Sequence, residues 1–208
     1  MKSIKNIYCV GRNYVLHAQE LKNAVPTSPF FFMKPSHALV EAKGQEIVLP
    51  GNQGTIHYET ELVIRINRSY EKGIKVDEIV DSMALGLDLT LRDVQEDLKK
   101  KGYPWLLAKG FPNSAVISEF IDFPGVEQCK KTDFFLLKNG IQVQAGNIKN
   151  MIFDLQTLLD FNAQHLGIGE GDIIFTGTPE GVGPVNDGDS YTLMFGENVL
   201  GKCSLKLL

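Results

Sequence analysis

Phe134-Phe135-Leu136-Leu137-Lys138-Asn139-Gly140-Ile141-Gln142-Val143-Gln144 decides the fold class. Two runs rich in aromatic and branched residues flank Asn139-Gly140. Both residues of that pair tolerate positive φ, which predicts a type I′ turn joining antiparallel strands Phe134–Leu137 and Ile141–Gln144. Outward from this hairpin, similar runs recur at Ile7–Val10, Phe30–Met33, Glu59–Ile66, Ser82–Leu87, Ile173–Thr176, Tyr191–Phe195 and Val199–Leu207. Helical signals are fewer. Asn13 is a candidate cap for Tyr14–Lys22, Thr90 and Asp93 form a capping-box pattern that opens Leu91–Lys101 before Gly102, and Phe153–His165 stops at Gly167. The expectation is an α+β fold, mainly β, with a few short helices.

At 208 residues the chain can bury a substantial core without staples and is expected to form a single domain over 1–208. Its 21 Lys+Arg against 25 Asp+Glu, a net charge of −4, and the lack of a basic stripe with interleaved aromatics argue against a partner held by its phosphates. Three widely spaced cysteines, Cys9, Cys129 and Cys203, make neither a disulfide framework nor a zinc ribbon and fit a reducing cytoplasm. The start of the chain, with few apolar residues before Gly11, is too short for a signal core, and no apolar run approaches a membrane span.

The sharpest chemical signal is His57-Tyr58-Glu59-Thr60-Glu61-Leu62-Val63-Ile64. Residues two apart on a strand share a face, so the Glu59 and Glu61 carboxylates project side by side and repel unless a cation neutralises them. The same alternation also fits the solvent side of an edge strand. Asp88, after the apolar run Met83-Ala84-Leu85-Gly86-Leu87, brings a third carboxylate to a strand end, although it could equally cap the following helix. Two Glu and one Asp form an all-oxygen set suited to a hard cation such as Mg²⁺ or Mn²⁺.

His17 and Glu20 lie three apart on the first helix, where a carboxylate can orient an imidazole as a general base; a plain surface contact has the same spacing. Lys34 and Lys109 each end an apolar run, placed either to meet an anionic oxygen or to snorkel from a core edge. In Gly177-Thr178-Pro179-Glu180-Gly181-Val182-Gly183-Pro184 the glycines permit a turn whose N–H groups and Thr178 hydroxyl could hold an anion, or a tight turn with no ligand. The loop lacks the Lys-Ser/Thr of a P-loop and the following helix of a dinucleotide fingerprint, so no nucleotide cofactor is expected.

Taken in order, Gly11-Arg12-Asn13-Tyr14 with His17 and Glu20, Phe32-Met33-Lys34-Pro35, His57-Tyr58-Glu59-Thr60-Glu61-Leu62, Asp88-Leu89-Thr90-Leu91-Arg92-Asp93-Val94-Gln95, Ala108-Lys109 and Thr176-Gly177-Thr178-Pro179-Glu180-Gly181-Val182-Gly183 resemble the fumarylacetoacetate hydrolase family. The likeness is to its short single-domain branch of acylpyruvate hydrolases and oxaloacetate decarboxylases. Pro112 follows Phe111 where the family often has Asp.

The resemblance implies a mixed β-roll, a homodimer, and a site in which Glu59, Glu61 and Asp88 bind Mg²⁺ or Mn²⁺ with Lys109 beside the ion. It implies His17 and Glu20 as a water-activating dyad, and Arg12, Gln95, Thr178 and Lys34 as substrate contacts. The implied activity is metal-dependent hydrolysis of the C–C bond of acylpyruvates to pyruvate and a carboxylate, with decarboxylation or tautomerisation of oxaloacetate at the same site. Rival readings are an isomerase or decarboxylase of aromatic-degradation dioates, or a non-catalytic module that binds a metal or keto acid. The expected partner is a small anionic keto acid, with neither nucleic acid nor membrane involved.

Overall fold

The computed structural model describes residues 4–20 and 24–208. Among these residues the strands form three sheets. The largest runs Phe31–Lys34, Ile7–Val10, Ile173–Phe175, Thr60–Ile66, Val80–Asp88, Ala115–Ile117, Leu39–Glu41, and the short Ile121–Asp122 also pairs with Val80–Asp88. A five-stranded sheet runs Ile141–Gly146, Phe134–Lys138, Ser190–Phe195, Asn198–Leu207, Lys43–Leu49. A small third sheet joins Gly183–Pro184, Ile56–Tyr58 and Thr90–Leu91. Most pairs are antiparallel. Three are parallel: Ile7–Val10 with Ile173–Phe175, Leu39–Glu41 with Ala115–Ile117, and Asn198–Leu207 with Lys43–Leu49. The fold is therefore a mixed, mainly β roll with a few short helices.

The hairpin that decided the class is present. Asn139 and Gly140 have φ of 53° and 80°, as a type I′ turn requires, and Lys138 faces Ile141 across it. Thr60–Ile66 lies mid-sheet with every residue buried except the half-buried Arg65, so both of its faces pack. Leu62 and Ile64 enter the main core, while Val63 joins Ile7, Cys9, Ala84 and Phe175 on the other side. The near-continuous apolar run at residues 62–64 is the pattern expected of a strand covered on both faces.

Three helix boundaries differ from the sequence reading, each because a side chain has a better partner. The first helix is Val15–Glu20, and Leu21 and Lys22 lie outside the described residues. Asn13 does not cap it. Its Oδ1 accepts from Phe153 N at 2.8 Å, and its Nδ2 donates to Phe153 O at 3.0 Å and Thr176 O at 2.9 Å, fastening this segment to two distant ones. The Thr90–Asp93 capping box is also absent. The helix is Arg92–Lys101, Thr90 Oγ1 donates to Asp88 O, and Asp93 accepts from Thr55 N instead. The third helix begins at Leu155, with Asp154 accepting from Thr157 N as its true cap.

Candidate metal and substrate site

The chain leaves the small sheet at Tyr58 and enters the large one at Thr60, so Glu59 sits at the junction rather than inside a strand as expected. Glu61 follows within the strand, and Asp88 ends the neighbouring strand Val80–Asp88, whose N–H bonds to Glu59 O at 2.8 Å. One oxygen from each of Glu59, Glu61 and Asp88 falls within 4.8 Å of the others, and all three residues are buried.

Three cations are in ion-pair contact with this cluster among the described residues. Lys109, at the end of the one-turn helix Leu106–Lys109, donates to Glu59 Oε2 and Asp88 Oδ2, both at 2.7 Å. Arg92 pairs with Glu59 Oε1 and donates to Gln95 Oε1 at 2.8 Å. Lys34 Nζ lies 2.8 Å from Asp88 Oδ1 and also donates to the carbonyls of Leu89, Ser114 and Lys109. Its side chain is wholly buried against Asp88 and these carbonyls and is not among the residues that line the cleft. Lys99 lines the cleft as well, without an ion-pair partner among the described residues.

The charges are unequal in their surroundings. Burial raises the Glu59 carboxyl pKa, but Lys109 and Arg92 outweigh it and hold the group well below the usual carboxylate range. Burial lowers the Lys109 ammonium pKa, and Asp88 and Glu59 more than offset that. Glu61 is the exception. Among the described residues it has no cation in ion-pair contact and accepts only the Gly177 N–H, at 2.7 Å; burial, Asp88 and Glu59 push its carboxyl well above the ordinary range. Three converging carboxylates, one of them lacking a counter-ion, are the donor set that a divalent cation taking oxygen ligands would complete.

His17 faces the same cleft. It is 5% exposed, and its Nδ1 lies 3.4 Å from Glu20 Oε2. Burial lowers its pKa, with Glu59 and Glu20 opposing, which favours the neutral ring. Glu20 in turn accepts from Gly181 N at 3.1 Å. The turn at 177–183 therefore spends two N–H groups on the protein's own Glu61 and Glu20 rather than leaving them for a free anion. Its shape depends on glycine: Gly177 and Gly181 have φ of 100° and 94°, and a Cβ would lie 2.6 Å from Asn13 Cβ and 2.4 Å from Val143 O respectively.

Thr178 and Gln95 line the cleft, and Thr178 Oγ1 accepts from Gln144 Nε2 at 2.9 Å. Arg12 lines it too, with φ of 57°, a left-handed conformation that is uncommon for a residue with a side chain. The structure thus brings Arg12, His17, Glu59, Glu61, Asp88, Gln95, Lys109 and Thr178 to one cleft, with Glu20 behind His17. Sequence reasoning passed over Arg92 and Lys99, which join Gln95 on one face of the helix Arg92–Lys101; their i, i+3, i+7 spacing was the available signal. His57 is half-buried with no partner for Nδ1 and does not line the cleft.

The profile of the fumarylacetoacetate (FAA) hydrolase C-terminal family matches residues 6–204, and the chain belongs to that family. It is 38% identical over 197 residues to the oxaloacetate tautomerase YcgM of Escherichia coli (strain K12), covering 92% of this chain and 89% of that protein. It is 40% identical over 188 residues to the mitochondrial oxaloacetate tautomerase FAHD1 of Homo sapiens, covering 89% and 84%. Among solved structures, fumarylpyruvate hydrolase from Pseudomonas aeruginosa in complex with Mn²⁺ and pyruvate superimposes with a TM-score of 0.88 at 31% identity, covering 99% of this chain and 91% of that one. No helix among the described residues is long and apolar enough to cross a membrane.

Proposed function

We propose that this chain is a divalent-metal-dependent enzyme of short 2-oxo acids, which tautomerises and decarboxylates oxaloacetate and hydrolyses the C–C bond of acylpyruvates. The observation that carries the reading is the convergence of the buried carboxylates Glu59, Glu61 and Asp88 with His17 on one cleft. The names of the tautomerase relatives and of the Mn²⁺- and pyruvate-bound hydrolase structure support the same substrate class.

Glu59, Glu61 and Asp88 would hold Mg²⁺ or Mn²⁺. The ion, when bound, supplies Lewis-acid stabilisation of the negative charge that develops as a 2-oxo acid becomes an enolate. Lys109 fixes the directions of Glu59 and Asp88 and adds an ammonium beside the developing charge. Gln95 and Thr178 supply polar groups that orient the substrate, and Arg12 adds a positive charge at the cleft wall. For an acylpyruvate, neutral His17 takes a proton from water at one ring nitrogen while Glu20 steadies Nδ1. The hydroxide attacks the C4 carbonyl, the C3–C4 bond breaks, and pyruvate enolate and a carboxylate leave. For oxaloacetate, loss of CO₂ reaches the same enolate without an activated water.

The test is pyruvate release from acetylpyruvate and from oxaloacetate, with Mg²⁺ or Mn²⁺ present. His17→Ala is expected to slow acetylpyruvate hydrolysis by about 10²–10⁴-fold and to leave oxaloacetate decarboxylation within a few-fold. Equal losses would sink the division of labour, and no turnover of either substrate by the wild type would sink the assignment itself.

A further inference from the structure

The cations lining the cleft divide into two kinds. Arg92 and Lys109 are committed to Glu59 and Asp88. Arg12 and Lys99 are not: among the described residues no carboxylate lies in ion-pair contact with either, yet both line the same cleft. Lys99 belongs to the last turns of the helix Arg92–Lys101, where a cation can simply favour the helix C-terminus. Its neighbours Lys100 and Lys101 are exposed and already serve there, whereas Lys99 alone turns inward, half-buried, with Nζ 5.4 Å from the centre of the Trp105 ring. Burial and the nearby positive charges of Arg12 and Arg92 all disfavour its charged form. Glu96 and Glu59 oppose this only in part, and neither is in ion-pair contact with Lys99 or Arg12, so a bound anion would relieve the remaining repulsion.

Position says which anion. Lys99 stands seven residues beyond Arg92, about 10 Å along the helix axis, and helical side chains lean back toward the N-terminus, here toward Arg92 and the carboxylate cluster. The C1 and C2 oxygens of a 2-oxo acid belong at that cluster, so Lys99 faces the far end of the substrate. We infer that Lys99, flanked by Arg12, reads the distal carboxylate of a four-carbon 2-oxo dicarboxylate, and so sets the preference of this site for oxaloacetate over acylpyruvates. The inference rests on the proposed function for the substrate's orientation. Acetylpyruvate, with a methyl ketone at the far end, offers Lys99 no negative charge to pair with.

The test uses a stable pair of ligands. Malate carries the distal carboxylate, 2-hydroxybutanoate has a methyl group instead, and Trp105, the sole tryptophan of the chain, reports binding beside Lys99 through its fluorescence. Lys99→Met keeps the aliphatic stem over Trp105 and removes the charge. With the Mg²⁺-loaded protein, this change is expected to weaken malate by about 10–100-fold and 2-hydroxybutanoate by no more than about twofold, with Lys99→Arg recovering most of the loss. In turnover, KM for oxaloacetate should rise by a similar factor while acetylpyruvate is unaffected. Equal weakening of both ligands, no weakening of either, or a wild type that binds the two alike would overturn the inference. Intact malate discrimination in a protein that turns over neither oxaloacetate nor acetylpyruvate would instead overturn the proposed function alone.

Discussion

Replacing Glu61 by Gln should invert the stability ranking of variant and wild type between metal-free and metal-loaded protein. Glu61 is 2% exposed, faces Asp88 and Glu59, and accepts one hydrogen bond, from Gly177 N at 2.7 Å. Gln keeps that acceptor and nearly the same shape, fixes the neutral form toward which burial, Asp88 and Glu59 already push Glu61, and turns an N–H₂ group toward two carboxylates. A hydrogen bond to a charged group contributes about 1.5–3 kcal/mol, of which about 1 kcal/mol is expected to remain after the amide is desolvated. For a chain of this length that gain raises Tm by about 2–4 °C. The wild type, given a divalent ion at a hundredfold excess over its Kd, gains about 2.7 kcal/mol, or about 5–10 °C. Glu61→Gln loses a charged ligand and most of that gain. Calorimetric melts with chelator and with Mg²⁺ or Mn²⁺ would show the two curves exchanging order. A full metal-induced rise in the variant would refute the ligand assignment, and a metal-free variant less stable than wild type would refute the repulsion.

Two other outcomes follow from the same geometry. Because burial lowers the pKa of His17 and the hydrolytic base must be neutral, kcat/KM for acetylpyruvate should fall at acid pH with a midpoint below the ordinary histidine value of 6.5. The hydrogen bond and charge of Glu20 hold that pKa up, so Glu20→Gln should move the midpoint lower still while reducing the plateau; a shift to higher pH would contradict the dyad. Lys34→Met strips a buried counter-ion from Asp88 and a donor from three carbonyls, and should cost about 3–5 kcal/mol in urea unfolding. A variant of unchanged stability with a raised KM would restore Lys34 to the substrate side.

The strands that read clearly in the sequence are those whose residues are apolar on one or both faces, such as Thr60–Ile66 and Phe134–Lys138. Lys43–Leu49 was missed because its first four residues are exposed and polar; it is a strand because Asn198–Leu207 pairs with it, which is a tertiary cause. Likewise Ile56–Tyr58 is three residues long and owes its conformation to Gly183–Pro184 and Thr90–Leu91 on either side. The carboxylate cluster was legible since charge inside an apolar run is conspicuous. The environment of Lys34 was not legible, because a lysine after Phe31-Phe32-Met33 looks the same whether its ammonium meets a ligand or three carbonyls of its own chain. Asn13 shows the same limit: a cap motif is local, and Phe153 and Thr176 outcompete it from more than a hundred residues away.

The parallel pairings bear on how this protein is made. Ile7 lies beside Ile173, and Leu49 beside Leu207, so the large sheet and the five-stranded sheet each close on contacts between the early and late parts of the chain. Closing such long loops is entropically costly before any contact rewards it, and folding slows accordingly. The hairpins at residues 134–146 and 190–207 can form as they leave the ribosome, but Glu61 meets its Gly177 N–H only when the late strands arrive. Until then Glu61 lacks the one hydrogen bond that the folded protein gives it. A divalent ion that bound it early would act as a folding ligand before it served any reaction.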